Sequence, residues 1–369
     1  MNHTKQADDS FFVNSIKPQK SGQIESTQST NSENSENSEN SENSENSENS
    51  AQNLGILSDP RPGGEERPWR LKKLKTLLLA ASFERLGEVQ LAERVRNCGT
   101  YLEFISDFVQ KILRGANFCD CRLCPMCVWR RSLRLAYVLS SVMDEVERDQ
   151  PYLVPLFLTL TIKNCPATVV GLSQALTVIF EGWNRFLKVK QVKSVTKGWF
   201  RSLELTYNRE ADTFHPHMHV VVYVDGLSYF DRCENNYKKT SEWVQLWGSA
   251  CRLNYDPICD IRRIQNDSER RKDINEMAKY TVKDTDFIIA NDLLLTDKLV
   301  LILNKVLRKR RLTAFGGVLK QVATKLKLLD KETKGDLIHV GDGMIREDIA
   351  VILRYFWHFG FGQYFKGEE

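Results

Sequence analysis

The sequence predicts an α+β protein in which a central antiparallel sheet is packed by helices. A helical, cysteine-bearing region should precede the sheet, and a helical, basic region should follow it. Three observations carry this. Strand-like segments alternate with helix-like ones in the order strand, helix, strand, strand, helix, strand, helix between Val154 and Val282. The two middle strands follow each other across one short polar loop, which favours a hairpin over a parallel crossover. The chain has 369 residues and a hydrophobic fraction of 41%, enough to bury a sizeable core. Such an order places the helices on one face of the sheet.

Residues 1 to 68 read as a flexible acidic tail. The triplet Asn-Ser-Glu repeats six times from Asn31 to Glu48, and the stretch around Pro60–Gly64 is rich in Pro and Gly. Nothing there is apolar enough to offset the entropy of ordering, so disorder is expected. Ordered structure should begin at Trp69. Helical spacing of Leu74, Leu77, Leu78, Ala81, Phe83 and Leu86 predicts helix within residues 70 to 115, and another helix is expected over residues 128 to 147. Within residues 151 to 290, Val154–Ile162 is a buried strand and Leu172–Leu187 an amphipathic helix. Phe200–Tyr207 and the segment from His215 to Val224 should pair as a hairpin. Ser241–Cys251 reads as a helix, Asp256–Ile264 as a strand and Glu269–Val282 as a helix. Residues 291 to 369 are expected to be mostly helical and basic, notably at Lys305, Arg308, Lys309, Arg310 and Arg311.

Charge is divided unevenly. Residues 1 to 68 hold five Lys/Arg against twelve Asp/Glu, which leaves 47 basic and 36 acidic side chains in the rest, a basic excess of 11. A basic folded part suits a nucleic-acid partner, although a merely soluble surface has the same balance. No apolar run approaches the roughly 20 residues that span a bilayer, and Met1–Ser10 lacks the apolar segment of a secretory signal. Nine cysteines, four of them between residues 119 and 127, argue against a secreted disulfide framework. The expected setting is the reduced cytoplasm, with no membrane partner.

Half of the six histidines fall in His215-Pro216-His217-Met218-His219, which runs into a β-branched stretch. Strand side chains alternate faces, so His217 and His219 share one. Two imidazoles on a strand supply part of a divalent-metal site; the alternative is a hydrogen-bonded histidine pair. Glu204, in the preceding strand, is the candidate third ligand, and a hairpin would bring it alongside. Two imidazoles and a carboxylate suit Mg²⁺ or Mn²⁺, with Zn²⁺ still open. In Glu276-Met277-Ala278-Lys279-Tyr280-Thr281-Val282-Lys283, helical spacing would put Glu276, Tyr280 and Lys283 on one face. A tyrosine there can attack phosphorus, and a carboxylate one turn away can activate a hydroxyl or a water. The alternative is an ordinary salt-bridged surface helix. Cys119-x-Cys121-x2-Cys124-x2-Cys127 favours structural Zn²⁺ in a reduced protein, with buried free cysteines as the other reading.

Taken together, Phe157-Leu158-Thr159-Leu160-Thr161, then LELTYN and HPHMH, then EMAKYTVKD resemble the rolling-circle plasmid replication initiators of the HUH endonuclease superfamily. The resemblance runs from about Cys98 to the C-terminal region. It implies an HUH-like sheet and an enzyme that nicks one strand at the plasmid origin and stays joined to the 5′ phosphate through tyrosine. It further implies that the freed 3′ hydroxyl primes the host polymerase, with a host helicase as another partner and a homodimer as a further option. By this resemblance His217 and His219 hold the metal with Glu204, Tyr280 is the nucleophile, and Glu276 directs water in the terminating cleavage. The family plan also selects Cys98, Cys119, Cys124 and Cys127 as zinc ligands. Transposases and relaxases of the superfamily are disfavoured by length and motif order. A zinc-stabilised DNA-binding regulator without catalysis is the rival from another class.

Overall fold

The computed structural model of the chain describes residues 55–61, 63–107, 111–231, 233, 236–279, 281–328 and 349–367. The repeat tail and Tyr280 lie outside the described residues. Eleven helices and ten strands follow in chain order among those described. They are α1 (Trp69–Arg85), α2 (Val89–Arg96), β1 (Tyr101–Ser106), β2 (Lys111–Ala116), α3 (Pro125–Asp149), β3 (Leu153–Thr161) and β4 (Cys165–Pro166). Next come α4 (Val169–Phe186), α5 (Lys190–Val195), β5 (Thr196–Asn208), β6 (Thr213–Asp225), α6 (Gly226–Tyr229), α7 (Thr240–Cys251) and β7 (Cys259–Arg263). The chain continues with α8 (Asp267–Ala278), α9 (Asp284–Phe287), α10 (Leu293–Leu307), β8 (Thr313–Gly316), α11 (Gly317–Lys325), β9 (Val351–His358) and β10 (Gln363–Lys366).

The central sheet has the order β7-β3-β6-β5-β8, every pairing antiparallel, with β4 against the start of β6. This is the α+β antiparallel class expected from the sequence. Strands β3, β5 and β6 are apolar on both sides because both faces are covered, which corrects the expectation of helices on one face. Leu158, Leu203, Val220 and Val222 pack under α4, α7 and α10. On the opposite face Phe157, Phe200, Val221 and Tyr223 pack under α3, α8 and α11. The β5–β6 hairpin is closed by local chemistry: the Asn208 carboxamide oxygen accepts from Ala211 N at 2.9 Å, and Asp212 adopts a positive φ of 48°.

The flanking regions contain helices, but each also supplies strands that periodicity did not reveal. Residues 101 to 116 form the β1–β2 hairpin, and the end of the chain forms β9 and β10. These four build a second antiparallel sheet, β10-β9-β1-β2, in which Leu102 pairs with Tyr355 and Phe104 with Leu353. The strands β1 and β9 pair across some 250 residues of chain, so no local turn signal announces that pairing. Residues 55–61 and 63–68 also belong to the fold rather than to a tail. Leu57 N donates to the Tyr364 carbonyl at 3.2 Å, and buried Asp59 accepts from the Trp69 indole at 2.6 Å and pairs with Arg67 at 3.2 Å. Among the described residues no helix is long and apolar enough to cross a membrane.

Candidate active site and cysteine cluster

Glu204 lies directly opposite His217 in the β5–β6 register, and His219 sits between Ser202 on one side and Thr159 of β3 on the other. Because directly paired residues of antiparallel strands project to one side, the carboxylate and both imidazoles converge. Their ligand atoms all lie within 4.8 Å of one another. His217 Nε2 is 3.4 Å and His219 Nε2 2.9 Å from the same Glu204 oxygen, Oε2. The opposite ring nitrogens are also engaged: His217 Nδ1 faces the His215 carbonyl at 3.3 Å, and His219 Nδ1 faces the Thr159 hydroxyl at 3.4 Å. A carbonyl can only accept, so His217 carries its proton on Nδ1 and aims a lone pair at Glu204 when neutral. The His217 lone pair facing the carboxylate needs a proton or a cation between them, and with His219 alongside this is the donor set of a divalent-metal site. Burial opposes ionisation of Glu204, but hydrogen bonds from His217 and His219, then their charges, hold its carboxyl well below the usual carboxylate range. Phe157 stacks on His219 with ring centroids 5.7 Å apart and closes that side of the site.

Helix α8 delivers a second carboxylate. Asn266 caps the helix by accepting from Glu269 N at 3.0 Å, and Ile274 and Met277 are buried against the sheet. Glu276 on the same helix therefore reaches over the end of the sheet, with Oε1 3.6 Å from His219 Nε2. Lys279 pairs with the other oxygen of Glu276. Here the helix stops, two residues before Tyr280. Lys279 takes φ −53° and ψ 160°, and the Thr281 carbonyl accepts from Leu205 N at 2.7 Å. The outer edge of β5 thus captures the chain and outcompetes a further helical turn. The expected single helical face through Glu276, Tyr280 and Lys283 is corrected: exposed Lys283 stands at the N-cap of the separate helix α9.

The second cluster is sulfur. Cys98 follows α2, Cys119 follows β2, and Cys124 and Cys127 open α3, where Pro125 at the first turn fixes the helix start. All four are buried, with sulfurs within 4.8 Å of one another. The Cys98–Cys127, Cys98–Cys124 and Cys119–Cys127 separations are 3.5, 3.6 and 3.7 Å. These are too long for a disulfide and close to the edge of about 3.8 Å expected when sulfurs sit about 2.3 Å from a tetrahedral ion. Cys121 stands outside the set and donates its N–H to Cys119 Sγ at 3.4 Å. Beside the sulfurs, Lys73 is fully buried and donates to the Arg96 and Cys98 carbonyls at 2.7 Å each. Burial brings its pKa down to about 8, partly offset by the charges of Cys98, Cys124 and Cys119. A buried cation is what a four-thiolate set requires nearby.

A family model described as "Replication protein" matches residues 110–365 of this chain. The chain belongs to the replication protein family. It is 37% identical over 339 residues to a Protein rep from Bacillus amyloliquefaciens, covering 84% of this chain and 96% of that relative. A Protein rep from Streptococcus pneumoniae serotype 2 is 37% identical over 290 residues, covering 78% and 88%. A third, from Lactiplantibacillus plantarum, is 35% identical over 294 residues, covering 78% and 90%. No solved structure gives a significant match. The family resemblance drawn from the motifs is therefore borne out.

Within this family member, three site neighbours escaped the sequence reading. Thr159 was visible only as part of a strand motif, and its bond to His219 depends on the β3–β6 register. Asp284 anchors the segment after residue 280 by pairing with Lys72 at 2.8 Å and Lys75 at 3.1 Å, both on α1. Asp286 has its carboxyl raised by burial, with the charge of Glu204 adding to the effect. Tyr207, the other tyrosine near the histidines, donates to Asp212 at 2.8 Å. Desolvation and that bond push its hydroxyl up to about 12, and the bond braces the β5–β6 hairpin.

Proposed function

We propose that the chain is a plasmid replication initiator that nicks and rejoins one DNA strand at the origin through a covalent 5′-phosphotyrosine, and so starts rolling-circle replication. One observation carries the reading. Glu204, His217 and His219 converge on one sheet face, with Glu276 3.6 Å from His219, at the strand edge that binds the residue following Tyr280. Glu204, His217 and His219 would hold Mg²⁺ or Mn²⁺, which when bound polarises a phosphodiester oxygen.

The chain's own groups then have distinct tasks. The Tyr280 oxygen forms a bond to phosphorus as the bond to the 3′ oxygen breaks, leaving a 3′ hydroxyl and a phosphotyrosine. Glu276, with Lys279 on its far oxygen, accepts a proton from the attacking water in the terminating cleavage. Lys283 contributes positive charge from the other side of residue 280. Structural Zn²⁺ on Cys98, Cys119, Cys124 and Cys127 fits the same reading, as do origin DNA, a host helicase and a host polymerase as partners. A homodimer and a cytoplasmic location complete it. The cysteine cluster would equally serve a DNA-binding regulator without catalysis, and cleavage separates the two.

The test is incubation of single-stranded origin oligonucleotides with the protein and Mn²⁺. Wild type should give a cleaved 3′ product and a covalent protein–DNA species, and Tyr280→Phe neither. An adduct in Tyr280→Phe would refute the nucleophile. No metal-dependent cleavage by wild type would favour the regulator. Glu276→Ala should still nick while losing hydrolytic termination.

A further inference from the structure

A cavity of about 660 Å³ lies between the cysteine module and the edge of the central sheet. Its wall includes Lys279 and Thr281, at the end of α8 and in the segment that follows it. Its volume falls within the roughly 300–1,000 Å³ of small-ligand sites. Five arginines from three separated parts of the chain line it: Arg122 between the cysteines, Arg131 and Arg134 on α3, and Arg310 and Arg311 after α10. Between them, Leu135, Val128 and Phe315 supply an apolar wall.

The acidic groups are too few to balance this. Of the two lining carboxylates, Asp284 is already paired with Lys72 and Lys75, and Asp120 is an exposed residue 3.8 Å from Arg131. Two of the guanidinium groups also repel each other: desolvation and then the charge of Arg131 hold Arg122 below its usual range. Converging like charges around a hollow are costly unless an anion enters it. An anion with a flat apolar part matches the whole lining, arginines to phosphate and the apolar wall to a base.

We propose that this cavity seats a nucleotide of single-stranded DNA lying across the candidate active site, with the arginines on its phosphates. The proposal rests on the nicking function for its DNA strand, but it concerns binding and is tested without cleavage. Fluorescein-labelled oligothymidylate of 12 nucleotides serves as probe, with no added divalent ion, and anisotropy is followed from about 50 to about 200 mM NaCl. Arg122→Gln combined with Arg311→Gln, two exposed positions on the cavity lip, should weaken binding about tenfold. It should also lower the salt slope by about 1.4, the value for two phosphate contacts on a single strand. Arg308→Gln combined with Lys309→Gln, exposed neighbours outside the cavity, should stay within about twofold. Equal losses in both pairs, or wild-type binding in the Arg122/Arg311 pair, would overturn the proposal.

Wild-type protein crosslinked to a 5-iodouracil oligonucleotide guards against misfolding of the variants. Adducts should map to residues 120–135 or 310–315, and their absence from both segments would also overturn it. Wild-type cleavage with unchanged binding in the Arg122/Arg311 pair sinks the cavity alone. Loss of binding in that pair without any wild-type cleavage sinks the nicking reading and leaves the cavity standing.

Discussion

His219 is held at both ring nitrogens, by Glu204 at 2.9 Å and by Thr159 at 3.4 Å. Thr159 thus acts as a positioning residue, turning Nε2 toward the carboxylate. Losing such a partner typically costs about 10–100-fold in metal affinity. Thr159→Val should weaken Mn²⁺ binding to that extent in calorimetric titration, and Thr159→Ser should restore it; an unchanged affinity in Thr159→Val would remove Thr159 from the site. Asp284 is a second residue whose surroundings set its behaviour. Burial opposes its ionisation, but Lys72 and Lys75 outweigh it and keep its carboxyl below the usual range. A carboxylate depressed in this way stabilises the fold above its unfolded pKa near 3.9, and that contribution is lost as pH falls through the lower folded value. Asp284→Asn removes the carboxylate charge that pairs with two buried lysines and should lose about 3–5 kcal/mol at pH 7. In denaturant titrations the gap from wild type should stay constant down to about pH 5 and shrink below about pH 4. A gap that widens on acidification would contradict the pairing.

At the scale of elements, the hairpin carries the site and the helices aim at it. Histidines two apart on β6 and a carboxylate on β5 become neighbours through register alone, and a slip by one residue would send all three to the opposite face. The outer edge of β5 is paired by β8 through Ser202, then used by the Leu312 and Thr281 carbonyls, so one edge aligns three separated segments. The turn from β8 into α11 demands glycine. Gly317 has a φ of 57°, and a Cβ there would run into the Lys197 carbonyl oxygen. Gly317→Ala should cost about 2–4 kcal/mol by chemical denaturation, from left-handed strain and overpacking together. Gly63→Ala, with nothing within 4 Å of the new methyl, should stay within about 0.5 kcal/mol. Equal costs at both positions would rule out this account of the turn.

For the whole molecule, segments far apart in the chain meet. β1 pairs with β9, and the Tyr364 hydroxyl donates to the Gly99 carbonyl at 2.5 Å, next to Cys98. Helix α1 reaches the other way: Ser82 and Arg85 bind Asp297 of α10 at 2.6 and 2.7 Å, and Lys72 and Lys75 bind Asp284. The sulfur cluster ties together the loop after α2, the end of β2 and the start of α3, so a metal there would brace the junction of both sheets. Native mass spectrometry should find one zinc per wild-type chain and none in Cys98→Ser combined with Cys124→Ser. That variant, like chelation of the wild type, should lower the melting temperature by about 10 °C or more. Metal-free wild type with full stability would refute structural zinc.

The alternation of His217 and His219, the hairpin with Glu204 and the dense cysteine spacing were legible because each depends on neighbours a few residues away. The order of elements in the central sheet was legible for the same reason, since period and turn chemistry are local properties. The second sheet was not, because β1 and β9 are stabilised by each other across some 250 residues, a pairing that no local turn announces. Nor was the end of α8, where helical spacing through Lys283 lost to a hydrogen bond from the edge of β5. The sequence by itself determined that His217, His219 and Glu204 share one face of one hairpin. Only the tertiary structure decided that both sheet faces are covered, that Glu276 reaches His219, and that five arginines from distant segments share one cavity. Those outcomes depend on burial and on the competition for unpaired strand edges, which no local pattern records.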